Sequence, residues 1–507
     1  MTRKALQITL LFLLTIIIAA CTNSNTESDE GNTEENTATE ENTTASESTG
    51  EDEEVEKNLI GDVTLSNNRG RIGDEVTLTA EKLLPDKPVK VVWVDMIGSY
   101  VIEDNYSYIG TTYEPYEIVV GEGTADSTGK WEGTFNIPDG YGDDHDILIY
   151  QDNQVVAKAN YFVETVFSMS PTSGPAGTEV TVEVEGMSWK MYGSLYFINW
   201  DNNFTGMITS VTTNGKAKAV FRATGKKGLH SVTIDQSPQG FPYLSLASSA
   251  LSDVMSRQNF TFEITDDKPI VTEAYVEEAP EAAGGGIKLP DPVNKDGVTV
   301  ALDKSEGVVG EPVVLTASGL PKNETVKFDW HTMVGTRVTR EGYGPQIFDL
   351  GEAKTDENGN LTYEFNVPDD LGGLPHLIDL KVGDEVYGQT YLRILPTIEI
   401  SPTSGPVGTE FTVTIKGSGW TQFDNALTVA YDNSYIGYIC GFFTQGTIQY
   451  KMIATGEPGY HFIDIVPSIY QGQQRLPDYY LRPMLTYRED HPGTGIPAIR
   501  AVFEVTE

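Results

Sequence analysis

Cysteine is almost missing from this chain, with 2 in 507 residues, and basic residues are scarce, 34 against 74 acidic ones. With only Cys21 and Cys440 available, no disulfide framework can hold the fold, so packed cores must do so. The formal net charge of -40 excludes nucleic acid as a partner, because binding a phosphate backbone rests on clustered Lys and Arg. Helical periodicity is also missing: past residue 59 no apolar 3.6 pattern runs for three turns, apart from a weak one at Leu244 to Met255. Nucleophile elbows, phosphate loops, zinc-type His and Cys spacings and redox Cys pairs do not occur. The chain therefore reads as non-enzymatic, with no catalytic residue, no metal ligand set and no cofactor.

What is present begins with an address. Arg3 and Lys4 precede an apolar run from Leu6 to Ile18, too short for a comfortable membrane span, and Ile18-Ala19-Ala20-Cys21 follows with small residues before the cysteine. This layout resembles the lipobox of bacterial lipoproteins. The resemblance implies a signal peptide over 1–20, cleavage before Cys21, and a lipid on its sulfur that anchors the protein to a membrane at the outer face of the cell envelope. An ordinary secretory signal with an incidental cysteine is the competing reading. From Thr22 to Asn58 thirteen carboxylates face one Lys among Ser, Thr, Asn and Gly. Such a segment buries too little surface to fold, and residues 21–58 read as an acidic tether with a reach of about 35 Å.

The remainder is a duplication. Ser170-Pro171-Thr172-Ser173-Gly174-Pro175-Ala176-Gly177-Thr178 returns as Ser401-Pro402-Thr403-Ser404-Gly405-Pro406-Val407-Gly408-Thr409, and the register holds to Ile234 and Ile465. A second repeat is interleaved: Gly73-Asp74-Glu75-Val76-Thr77-Leu78 matches Gly310-Glu311-Pro312-Val313-Val314-Leu315. The order is A (59–164), B (165–265), a linker (266–296), A′ (297–395) and B′ (396–507). Val180, Val182 and Val184 alternate with Thr181, Glu183 and Glu185, as in a strand with one face on a core. Short strands punctuated by Gly, Pro, Asn and Asp make the fold all-β, four tandem immunoglobulin-like (Ig-like) sandwiches.

His145, His230, His376 and His461, four of the 6 histidines, each precede an alternating apolar strand. One position used four times is a structural one, a histidine satisfying local backbone groups. The motif Ser-Pro-Thr-Ser-Gly-Pro-x-Gly-Thr, then an alternating strand and Gly-x-x-Trp, resembles the opening of an IPT/TIG domain over B and B′. That resemblance implies Ig-like modules used as spacers, adhesins or carbohydrate-binding appendages. The tight A-to-B connections predict stiff pairs, and the Ala-, Gly- and Glu-rich linker predicts a flexible hinge between them.

Candidate binding residues lie where the copies differ. The loop before the last strand of B′ is the longest, and it carries Tyr470, Tyr479, Tyr480 and Tyr487 with Arg475, Arg482 and Arg488. Trp420 and Phe423 belong to the same end of the sandwich. Tyr and Arg are enriched at binding hot spots, so Trp420, Phe423, Tyr470, Tyr479, Tyr480, Arg482 and Tyr487 form a candidate ligand site for polysaccharide or a surface protein. The alternative is that the loop packs on the preceding A′ domain. Asp139, Asp143, Asp144 and Asp146 read as a solvated acidic turn, and Cys440 as a buried, inert thiol. Adhesion, a purely structural role with self-association, and an accessory role beside an enzyme or uptake system all remain open.

Overall fold

The structure, a computed structural model, describes residues 59–507 apart from 105, 191–192, 238–240, 251–254, 279–286, 288, 337–341, 470–480 and 494–496. The signal segment, Cys21 and the tether lie outside the described residues. Among the described residues no helix is long and apolar enough to cross a membrane.

The four domains repeat one topology. In each, the first, third and sixth strands form a three-stranded sheet, and the second, eighth, seventh, fourth and fifth form the facing sheet. Alternation places the core as expected: Val180, Val182 and Val184 are buried, whereas Glu183 and Glu185 face solvent. Four apolar clusters fill the four sandwiches, and the chain is an all-β, Ig-like protein. The weak helical pattern after Leu244 yields only a single 3-10 turn, Leu246–Ser248, among the described residues.

The four matching histidines sit on the seventh strand of each domain and share one environment. His145 and His376 each place both ring nitrogens on backbone carbonyls, of Val94 and Tyr141 in one case and His331 and Leu371 in the other. His230 and His461 place one nitrogen on a carbonyl, of Lys226 and Glu457, and the other on Asp201 and Asp432. Each ring also stacks on an aromatic of the fourth strand, Trp93, Trp200, Trp330 or Tyr431. The opening motif of B and B′ is a turn, tied by Thr178 Oγ1 to the Pro175 carbonyl and Thr409 Oγ1 to the Pro406 carbonyl, at 2.7 Å in both.

Within each pair the junction is bonded directly. Gly142 N–H donates to the Met187 carbonyl at 3.0 Å, and Gly372 N–H to the Ser418 carbonyl at 2.7 Å. The acidic turn of A is matched by lysines: Lys216 holds Asp139, Lys190 holds Asp143 and Asp144, and Lys158 holds Asp146.

The segment expected as a hinge departs from that reading wherever it is described. Ile270 N–H bonds the Ala176 carbonyl of B, and Tyr275–Val276 then pairs antiparallel with Arg500 and Ile499, adding a strand to the B′ sheet. Beyond residues 279–286, Val293 and Lys295 bond back to Gln389 and Tyr387 of A′. Residues 58–507 accordingly form one compact unit, in place of two rods on a joint. The physical reason is that apolar and charged side chains of this strap find partners on B′, which composition alone does not reveal.

Candidate functional site

Where it is described, the long B′ loop neither stands free nor packs on A′. It leaves its own domain and enters B. Met207 N–H donates to the Pro483 carbonyl (2.8 Å), Leu485 N–H to the Met207 carbonyl (3.0 Å), and Val220 N–H to the Leu485 carbonyl (3.1 Å). The segment thus bridges two edge strands of B, Asn203–Ile208 and Ala217–Arg222, and drops the Leu485 side chain into the B core. Gly206 makes this approach possible, because a Cβ there would lie 2.6 Å from the Pro483 carbonyl oxygen. Further along, the Thr486 hydroxyl meets that of Thr209, and the Asp490 carboxylate accepts from the N–H groups of Val211 and Thr212.

A fifth apolar cluster lies between domains, where Phe423 and Tyr487 join Phe197, Met207, Met484 and two tyrosines of A, Tyr100 and Tyr108. Those tyrosines arrive on a long hairpin of A, Pro88–Glu103 and Ser107–Thr124. Its tip is clamped by Gln422, which accepts from Tyr108 N–H at 2.8 Å and donates its own N–H to the Tyr106 carbonyl at 2.9 Å. Trp420 is half-buried against the Tyr106 ring, 6.0 Å away.

Beside this cluster runs a buried ionic chain. Asp464 accepts from Arg222 of B and from Arg500, and Arg500 continues to Glu277 of the strap at 2.7 Å. Glu277 also receives Arg488 and the Tyr487 hydroxyl. Burial pushes both carboxylates up, but the arginines outweigh it and hold Asp464 and Glu277 below the usual carboxylate range. Burial alone carries His491 down to about 4.

These placements change the candidate ligand set. Phe423 and Tyr487 are wholly buried and Arg482 is nearly so, over the Phe241 ring at 3.9 Å, so none of the three presents a face to an external ligand. Trp420 keeps a partly open face. Tyr470, Tyr479 and Tyr480 lie outside the described residues. Cys440 is half-buried rather than buried. Of the missed residues, Arg222, Asp464, Arg500 and Glu277, one carries a clear sequence signal: Asp464 stands within Phe462-Ile463-Asp464-Ile465-Val466, a run apolar on both faces.

Two of the molecule's depressions lie where domains meet. One, among Tyr100, Tyr108, Tyr113, Leu195, Met207 and Ile469, holds only about 50 Å³, room for a water or two. The other lies at the A–B junction and holds about 570 Å³, within the range of small-ligand sites. Arg69 lies over the Phe162 ring at 4.4 Å and pairs with Glu164 at 2.7 Å on one wall. Lys190 and Asp143, 2.6 Å apart, also line the depression, as do Gln236 and Gln258. Burial raises Asp143, but bonds from Lys190, the Asp144 N–H and Ser188 outweigh it, so the carboxylate is held ionised.

No family model matches the chain, and no curated protein matches it. Solved structures do. A Salmonella alpha-2-macroglobulin mutant is 9% identical over 89% of this chain and 32% of its own, with a TM-score of 0.20, so the chain spans about a third of that protein. The Escherichia coli adhesin FdeC is 14% identical over 66% of this chain and 97% of its own, at 0.16. A D1–D4 ectodomain fragment of ICAM-5 is 10% identical over 84% and 99%, at 0.18.

Proposed function

We propose that this chain is a non-catalytic lipoprotein of the cell surface, anchored through Cys21, in which B and B′ are IPT/TIG-type modules and the four domains form one binding head. Its ligand is a polysaccharide segment held in the A–B junction cleft. The observation that carries this reading is the cleft itself: one aromatic ring, two amides and two charge pairs around about 570 Å³. Hydroxyl-rich rings suit such walls, because each hydroxyl can both donate and accept against the amides and charge pairs, including the Arg69 guanidinium stacked on Phe162. The non-catalytic reading is supported by the pairing of the wall acids, Glu164 with Arg69 and Asp143 with Lys190, which leaves neither as a free proton donor or acceptor.

The mature full chain, screened against cell-wall and capsular glycans, should bind one class. Phe162→Ala and Lys190→Ala should each weaken that binding about tenfold or more while the unfolding midpoint stays within a few degrees. Absence of any glycan binding, or binding indifferent to both substitutions, refutes the cleft assignment. A second reading, a structural surface component assembled from copies of itself, is supported by the edge of B′, where Ile436, Tyr438 and Ile453 are about half exposed.

A further inference from the structure

The slot of B that receives Pro483–Leu485 has a counterpart in B′. At the offset of the duplication, Asn203–Ile208 becomes the N-terminal six residues of Ser434–Cys440, and Ala217–Arg222 becomes Ile448–Ile453. A bulge falls at the same place in both domains, at Ile198/Asn199 and Val429/Ala430. The glycine that admits the inserted strand, Gly206, recurs as Gly437, and there a Cβ would meet nothing within 4 Å. Between these two strands B′ has an open cleft of about 490 Å³ lined by Tyr431, Ser434, Ile436, Lys451, Met452 and Ile453. B has its slot filled, and B′ has the same slot open.

The inserted segment has a counterpart too. Arg482-Pro483-Met484-Leu485-Thr486-Tyr487 of the B′ loop is matched in the B loop by Phe241-Pro242-Tyr243-Leu244-Ser245-Leu246. Proline, leucine and the hydroxyl residue coincide. The backbone turns alike as well: Glu489 N–H bonds the Thr486 carbonyl at 3.0 Å, and Ser248 N–H bonds the Ser245 carbonyl at 3.1 Å. Leu485 is 3% exposed inside B, whereas Leu244 is 72% exposed. Phe241 is pinned on the Phe204 ring and beneath Arg482, and Leu244, three residues on, faces solvent.

We infer that the B loop of one copy docks in the B′ slot of a second copy of this chain, Leu244 entering between Ser434–Cys440 and Ile448–Ile453 as Leu485 enters B. The occupant is identified by the template within the molecule: the same tripeptide pattern, Pro-x-Leu, already occupies the same slot one module away. Donor and acceptor are different surfaces, so the contact is heterologous, closing when two copies exchange loops and propagating when they do not. Recognition is by strand addition at a sheet edge with one apolar anchor. This inference is independent of the cleft assignment, since self-assembly and glycan binding are read by different substitutions.

The test is sedimentation of the mature full chain across a concentration series. The chain should associate, and both Leu244→Asp and Ile436→Asp should weaken association about tenfold or more, since each puts a charge where an apolar contact forms. Leu244 is exposed, so its substitution should leave the unfolding midpoint unchanged. The two variants mixed should recover a 1:1 complex, because one retains the slot and the other the loop. A chain that stays monomeric, an oligomer indifferent to Leu244→Asp, or a Leu244→Asp chain that is monomeric but destabilised, which means docking within one copy, overturns the inference.

Discussion

In B the edge strand Asn203–Ile208 is buried from Thr205 onward; in B′ the same element, Ser434–Cys440, leaves Ile436 and Tyr438 about half exposed. Strand order, the bulge, the edge glycine and the histidine stacked on an aromatic are common to both. What differs is the loop before the last strand. In B′ it runs from Ser468 to Ile499 and reaches into the core of its neighbour, whereas in B it runs from Gln236 to Arg257 and, among its described residues, touches B′ through Phe241 without entering the B′ core. The pair shows that this module is closed at one edge only when a segment from outside covers it. Specific assembly was written into loop length and a few side chains, with the sandwich unchanged.

The ionic chain is the strongest lever on that comparison. Arg500→Met leaves Asp464 and Glu277 buried with half their partners, which should cost about 3–5 kcal/mol. Denaturant unfolding should show it, with B and B′ separating at a lower concentration than in the parent chain. A change below about 1 kcal/mol would mean that the buried arginine is not holding the two copies together.

Leucine truncation sharpens the contrast between the loops. Leu485→Ala removes a side chain from the B core and should cost about 2–5 kcal/mol. In the matching position Leu244→Ala, at low protein concentration, should stay within about 0.5 kcal/mol of the parent. Equal losses at the two positions would show that Leu244 is already docked within its own chain.

Acid should act more gradually. Above the ordinary carboxylate range Asp464 and Glu277 are ionised in both folded and unfolded chains, and the junction has its full stability. As pH falls, the unfolded chain takes up protons before the folded one, so stability is lost through the lowered values of the folded pair. His491 adds to this, because unfolded imidazole binds a proton below its usual 6.5 while the buried ring waits until about 4. Buried Asp424, raised to about 7 by desolvation, opposes His491 by binding its proton before the unfolded chain does, so unfolding midpoints should fall clearly only below the ordinary carboxylate range, and Arg500→Met should flatten that part of the curve.

Much of the fold was legible in the residues. The duplicated Ser-Pro-Thr-Ser-Gly-Pro turn, the Val180–Val182–Val184 alternation and the four strand-start histidines each reported local structure, and local structure is what short patterns encode. The site was harder. Tyr487 and Phe423 looked like exposed anchors because aromatic loop residues serve binding and packing alike, and only their partners decide. Those partners are far away in sequence: Arg222 meets Asp464, and Met207 meets Met484. One clue was present in Tyr196-Phe197-Ile198-Asn199-Trp200, a strand with no polar face, all five residues of which are buried. A strand that fails to alternate in an antiparallel sandwich is covered on both sides.

Leu485 also sets an order on how the molecule comes into being. The core of B, a domain finished in sequence by Ile264, is completed by a residue near the end of the chain. During synthesis the first pair of domains must therefore wait, its second sandwich open at one edge, until Leu485 has been made. A chain cut short before Leu485 would display that open edge.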